Sequence, residues 1–256
     1  MIASLGMYDF GAAMAANDRL WALIRTGLRG RGVAAPETLV RGEAAYWDAW
    51  QAPDLILSQT CGYPFRARLH GHVTYVGTPD YGVEGCAPGH YRSVFVARAD
   101  DPRHDVIEFG GARLAYNEPL SQSGWAAPQT HAAGLGLRLV PALRTGGHRL
   151  SAAAVAEGRA EIAALDAVTF ALMRREDPIA ERLKVVGMTA PTPGLPLITA
   201  AGRDPGPLFD AASEAIAALG PADRAILRLK GLVRIPVEDY LAVPNPPSPE
   251  QIAALI

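Results

Sequence analysis

The chain has 256 residues, enough for one large domain or two of ordinary size. Hydrophobic residues make up 49% and charged residues 20%, a composition that excludes a disordered chain. With 24 Lys+Arg against 26 Asp+Glu the net charge is −2, and no basic stripe with interleaved aromatics points to nucleic acid.

The start, Met1-Ile-Ala-Ser-Leu-Gly-Met-Tyr8-Asp9, has no basic residues followed by a long apolar run, so it reads as a first strand rather than a signal peptide. No later stretch is apolar enough to span a bilayer, and membrane insertion is not expected. The expected location is periplasmic if an export signal has been removed, and cytoplasmic otherwise. Cys61 and Cys86 are too few for a disulfide framework or a cysteine zinc site, and they are read as free thiols.

From Ala15 to Arg29, Leu20, Leu23, Ile24 and Leu28 recur at helical spacing, and Gly30 and Gly32 stop the helix. Glu37 to Val40 reads as a strand, Glu43 to Trp50 as a short helix, and Asp54 to Ser58 as a buried strand. Gln59-Thr60-Cys61-Gly62-Tyr63-Pro64 then leads a helix to about Leu69, and His72 to Val76 is a strand ended by Gly77-Thr78-Pro79. Tyr81 to Tyr91 is rich in turn formers, and Arg92 to Arg98 is a strand. This alternation predicts mostly parallel sheets covered by helices.

Asp100-Asp101-Pro102 marks a composition break. A second alternating set follows, with strands at Arg113–Tyr116, near Leu137–Leu143 and at Ala160–Leu165, and helices starting near Ser123, His148 and Asp166. Lys184 to Met188 is a strand before the proline-dense Thr189–Pro196, which leads into Leu197–Ala200. The end reads as helices at Pro207–Ala218, Ala222–Leu232 and Val237–Leu241, with a last one from Ser248-Pro249-Glu250. The expected architecture is α/β with two lobes: residues 1–95 plus 197–256, and 96–196, with crossings near 92–100 and 189–200.

In such sheets ligands collect beyond the carboxyl ends of strands. In the first lobe those ends carry Tyr8, Gln59, Thr60 and Tyr63, and Tyr91 precedes the crossing strand. In the second they carry Ser121-Gln122-Ser123-Gly124, Gly147-His148 and Asp166. Small hydroxyl residues and a glycine at a helix start present backbone N–H groups and the positive end of the helix dipole to an oxyanion. Each residue also has a plainer reading: Ser121 and Asp166 as helix N-caps, the tyrosines as half-buried anchors, His148 as structural. Ser121 or Ser123 with His148 and Asp166 supplies the residue types of a catalytic triad, but no G-x-S-x-G elbow, Walker loop or H-E-x-x-H accompanies them. No metal set and no cofactor motif is present.

Leu57-Ser-Gln-Thr-Cys-Gly-Tyr-Pro64, Cys86…Tyr91-Arg92-Ser93, Asn117…Ser121-Gln-Ser-Gly124, Gly147-His148…Ser151…Ala154-Val155…Gly158 and Ala163…Asp166 together resemble the phosphate/phosphite/phosphonate class of ABC-transporter substrate-binding proteins. The resemblance covers about Ile2 to Thr199. It implies a type II periplasmic-binding-protein clamshell, each lobe a mostly parallel sheet flanked by helices, that closes on a small oxyanion without catalysis. In that family the Ser-x-Ser-Gly turn holds the phosphonate or phosphate group, which places Ser121, Gln122 and Ser123 on it. His148 is expected to donate to the same group, and Asp166 to pair with a ligand amine. Tyr8, Gln59, Thr60, Tyr63 and Tyr91 are implied contacts from the first lobe. The implied partners are the small anionic or zwitterionic ligand and an ABC permease or a sensor protein; the chain is expected to be a monomer. The alternative is an enzyme on the same clamshell that uses His148 and Asp166 as acid and base.

Overall fold

The run Leu55-Ile-Leu-Ser-Gln59 has no polar alternation, and in the computed structural model of the chain it is a strand buried along its whole length. The structure describes residues 1–255. In chain order the strands are β1 (Ile2–Ser4), β2 (Leu55–Gln59), β3 (Val73–Asp80), β4 (His90–Tyr91), β5 (Ser93–Arg98), β6 (Arg113–Tyr116), β7 (Val140–Arg144), β8 (Ile162–Asp166), β9 (Leu183–Met188), β10 (Thr192–Pro193), β11 (Leu197–Ala200) and β12 (Gly231–Val233). The chain divides into two α/β units: Met1–His90 with Pro193–Ala242, and Tyr91–Thr192 with Val243–Ile256.

The first unit holds a five-stranded sheet in the order β1-β2-β11-β3-β12. β1 and β2 run parallel, β11 is antiparallel to β2 and β3, and β12 is antiparallel to β3. The helix Ala13–Gly30 buries Leu20, Trp21, Ile24 and Leu28, one face of a 3.6-residue period. These residues form one core with Leu57, Val76 and Leu197 of the sheet and Leu208, Ala211 and Ile216 of the helix Gly206–Ala218. Each fully buried aliphatic side chain contributes roughly 1.5–3 kcal/mol. Gly27 lets the two helices approach, since a Cβ there would stand 3.2 Å from the Ala211 Cβ. A second cluster joins Leu55 and Ile198 to Trp50, Phe65, Leu69 and Tyr240.

The second unit holds a sheet in the order β7-β6-β8-β5-β9. β6 runs parallel to β7 and β8, whereas β5 is antiparallel to both β8 and β9. Its core packs Val94, Val96, Ala115 and Leu165 against Ala152, Val155, Phe170 and Met173. Helices follow the ends of β6, β7 and β8, so the donors of three helix starts fall at strand ends of one sheet.

Several features differ from the sequence expectation, strand direction first: the sheets are mixed rather than mostly parallel, with β1–β2 the parallel pairing of the first sheet, because β11 and β12 return to it from a distant part of the chain. Glu37 to Val40 is not a strand: the Glu37 carbonyl accepts from the Arg25 guanidinium, and the Val40 N–H donates to the Ala3 carbonyl of β1 at 2.8 Å without a ladder building on it. β3 continues through Gly77, Thr78 and Pro79 to Asp80 because β12 pairs alongside. The helix expected at Ala222–Leu232 is Pro221–Leu227; Arg228 takes a left-handed φ of 56° and ends it, and Gly231 begins β12. Residues 243–256 were expected with the first lobe, but they group with the second unit. There the Trp125 indole donates to the Pro247 carbonyl at 3.2 Å and Arg138 Nη1 to the Leu255 carbonyl at 3.1 Å.

Candidate ligand-binding site

In the second unit β6 ends at Tyr116, and Gly146 N donates to the Asn117 carbonyl at 2.9 Å, tying the ends of β6 and β7 together. Ser121 is extended and accepts from Gly124 N at 3.0 Å, so it is an N-cap. The helix behind it opens with a π turn, Gln122–Ala126, in which Ala126 N reaches back to the Ser121 carbonyl at 2.9 Å. Such a turn adds one residue before the regular ladder begins, a device common at functional sites. Ser121, Gln122 and Ser123 are all buried.

Ser123 Oγ lies 2.9 Å from His148 Nε2. The Ser93 hydroxyl donates to the Ser123 carbonyl at 2.9 Å and fixes that residue's backbone from β5. His148 is the first residue of the helix His148–Ala156, and Gly147 before it offers no capping side chain. Thr145 Oγ1 donates to the Tyr116 and Gly147 carbonyls and lies 2.7 Å from Ser151 Oγ, locking the loop that presents the imidazole. Burial holds His148 down to about 4, with the Ala164 backbone pulling weakly the other way. Nδ1 is out of reach of solvent and has no partner in hydrogen-bond geometry. A neutral ring at this position carries a single N–H.

Asp166 ends β8 opposite Ser93. Its Oδ1 accepts from Val168 N at 2.7 Å and Thr169 N at 3.0 Å, so it caps the helix Ala167–Glu176, the plainer of its two sequence readings. The Ser–His–Asp types therefore do not assemble into a triad: no carboxylate holds the second imidazole nitrogen. Among the described residues no group of three or more His, Cys, Asp or Glu is placed to hold a metal ion.

In the first unit Tyr8 closes the short turn after β1 and meets the edge of Tyr81, ring centres 4.9 Å apart. Gln59 Nε2 donates to the Tyr81 hydroxyl at 2.9 Å, and the Gln59 carbonyl accepts from the Trp50 indole at 3.1 Å. Tyr8, Gln59 and Tyr81 thus form one cluster, beside a cavity of about 30 Å³ that Asn17 and Leu20 also line. Asp9 is fixed by Asn17 at 3.0 Å and Arg41 at 2.7 Å, which holds the turn carrying Tyr8. Thr60 N donates to the Pro196 carbonyl at 3.0 Å, while its buried hydroxyl has no hydrogen-bond partner. Tyr63 lies in the helical turn after Cys61, with Arg66 over its ring at 4.4 Å. Tyr91 is buried in β4 as the first residue of the second unit.

Each unit thus gathers its own candidates: Tyr8 with Gln59 and, along the chain, Thr60 and Tyr63; Ser121 to Ser123 with His148. Sequence reasoning missed Ser93, Trp50 and Tyr81 as supports. Only Ser93 left a signal, as a hydroxyl residue at the head of an apolar strand.

No curated protein sequence matches the chain. Among solved structures it is similar to XAC2383 from Xanthomonas citri bound to chloride ion, at 17% identity and a TM-score of 0.71 over 100% of this chain and 99% of that one. PhnD1 from Prochlorococcus marinus in complex with methylphosphonate gives 16% identity and a TM-score of 0.69, covering 99% and 97%. A binding-protein component of an ABC phosphonate transporter from Pseudomonas aeruginosa (PA3383) gives 16% and 0.68, covering 94% and 82%. At these identities the likeness shows the fold, the two-lobed α/β fold of type II periplasmic binding proteins. The family described as "ABC transporter, phosphonate, periplasmic substrate-binding protein" matches residues 51–240, which carry β2 with Gln59, the Ser121–Gly124 turn, His148 and Asp166. The chain belongs to the family of periplasmic substrate-binding proteins of phosphonate ABC transporters.

Proposed function

We propose that the chain is a non-catalytic binding protein for a small phosphonate or phosphate-like anion, serving an ABC permease or a related sensor. The observation that carries this reading is the Ser123–His148 pair at 2.9 Å on a π-opened helix start, with Ser121 bracing the turn. An oxyanion needs donors, and this turn offers hydroxyls, helix N–H groups and an imidazole without a cation. We assign the anion to Ser121, Gln122, Ser123 and His148. Tyr8, Gln59, Thr60, Tyr63 and Tyr91 are the contacts of the first unit and the crossing, with the buried unpartnered Thr60 hydroxyl the best placed to gain a partner. Asp166 serves first as a cap, and a ligand amine is its second partner.

Titration calorimetry with phosphate, phosphite, methylphosphonate and 2-aminoethylphosphonate tests the proposal. Binding of at least one, with the ligand recovered unchanged, is expected. No binding to any of them would sink the ligand class, and turnover would favour the enzyme. Capture of a permease or of a signalling kinase by the liganded protein separates transport from sensing.

A further inference from the structure

The segment from Val243 to Leu255 packs within the second unit. Its helix Pro249–Ala253 is closed by a reciprocal cap, Ser248 Oγ accepting from Gln251 N and Gln251 Oε1 from Ser248 N. Pro249 and Ile252 are buried, and Arg138 reaches the Leu255 carbonyl. At the other end of this strap, the Pro247 carbonyl accepts the indole N–H of Trp125. Trp125 is fully buried, packs at a tilt against the Tyr116 ring with centres 5.0 Å apart, and lies inside the π turn that carries Ser123 and Gly124. Its backbone N–H donates to the Ser121 carbonyl at 3.2 Å. One rigid side chain therefore connects the strap to the backbone that presents the Ser121–Ser123 hydroxyls. Three prolines, Pro244, Pro246 and Pro247, stiffen the strap on its way there.

We infer that the C-terminal strap is a positioning element for the anion turn, acting through Trp125 as a positioning residue. The role rests on the proposed function, but the coupling itself is readable without any ligand. An indole N–H held at a fixed carbonyl sets the tilt of the turn, and a hydroxyl aimed an ångström off forfeits its contact. Docking of the strap and order in the turn are one equilibrium.

Two full-length variants test this: Trp125→Phe, which keeps the ring and loses the N–H, and Ile252→Ala, which loosens the strap away from the turn. Amide exchange in the free proteins is expected to speed up about tenfold at Ser123, Gly124 and Trp125, with the helix Gly206–Ala218 unchanged. Affinity for methylphosphonate and inorganic phosphate is expected to fall about three- to tenfold, the range of one neutral hydrogen bond. Unchanged exchange in the turn in both variants, or a uniform rise along the whole chain, would overturn the coupling. Faster exchange with unaltered affinity would overturn the positioning role. Failure of the wild type to bind either probe would count against the proposed function, while the exchange result would still decide whether the strap orders the turn.

Discussion

Ser123 Oγ and His148 Nε2 stand 2.9 Å apart although 25 residues separate them, and the Ser93 hydroxyl braces the Ser123 carbonyl from a third segment. Such a bond fixes the hydroxyl before any ligand arrives, so binding does not have to order it. Ser123→Ala is expected to weaken anion binding by about 10- to 150-fold, the equivalent of one hydrogen bond to a charged group at roughly 1.5–3 kcal/mol. Calorimetry with methylphosphonate measures it. The thermal midpoint should move little, because the cap of that helix is Ser121.

Gly124 is held to its identity by space rather than by φ. A Cβ there would lie 1.9 Å from Asn117 Oδ1 and 3.2 Å from Ser121 Oγ. Gly124→Ala is expected to cost about 1–3 kcal/mol of stability and to abolish binding, since the cap and the turn must both shift. Denaturant unfolding followed by circular dichroism gives the first quantity. A stable variant that binds normally would place the anion elsewhere.

The depressed His148 has a consequence for stability against pH. Its value of about 4 lies below the ordinary 6.5, so the unfolded chain binds more protons in the interval between them. The neutral ring contributes its full share above about 6.5 and loses it as the pH falls toward 4. Thermal midpoints of the wild type and His148→Gln at pH 7.5, 5.5 and 4.5 should therefore converge on acidification. Parallel curves would show that the imidazole titrates normally.

Asp166 separates capping from ligand pairing. Asp166→Ala is expected to lower stability by about 0.5–2 kcal/mol, and Asp166→Asn to keep most of the cap. If the carboxylate also meets a ligand amine, Asp166→Asn will lose affinity for 2-aminoethylphosphonate and keep it for methylphosphonate. Equal losses for the two ligands would leave the residue a cap alone.

The strand-end chemistry was legible because it is local: a cap, a glycine and hydroxyls within four residues mark Ser121 to Gly124, and Gly147 announces the helix at His148. The supports were not, because their partners are remote. Ser93 acts on a carbonyl 30 residues away, and Trp125 on one 122 residues away, and neither spacing leaves a pattern in sequence. The three-residue β12 was read as a helix end since its pairing with Thr78–Asp80 outweighs the local preference that Ala222 to Leu232 expresses. Glu37 to Val40 has the composition of a strand, but it meets β1 through the Val40 N–H, and the Glu37 carbonyl turns to Arg25 of the neighbouring helix.

The position of β11 bears on how the chain comes to fold. It lies between β2 and β3 in the first sheet, yet about 120 residues follow β3 before it is made. A nascent chain carrying only residues 1–90 therefore holds β2 and β3 without the strand that joins them, and a stretch of apolar backbone stands unpaired. The second unit's Tyr91–Thr192 is synthesised entirely within that interval. The first sheet can be completed only after Leu197–Ala200 and then Gly231–Val233 have been made, whereas the strands of the second sheet, β5 to β9, all lie within one earlier stretch of chain.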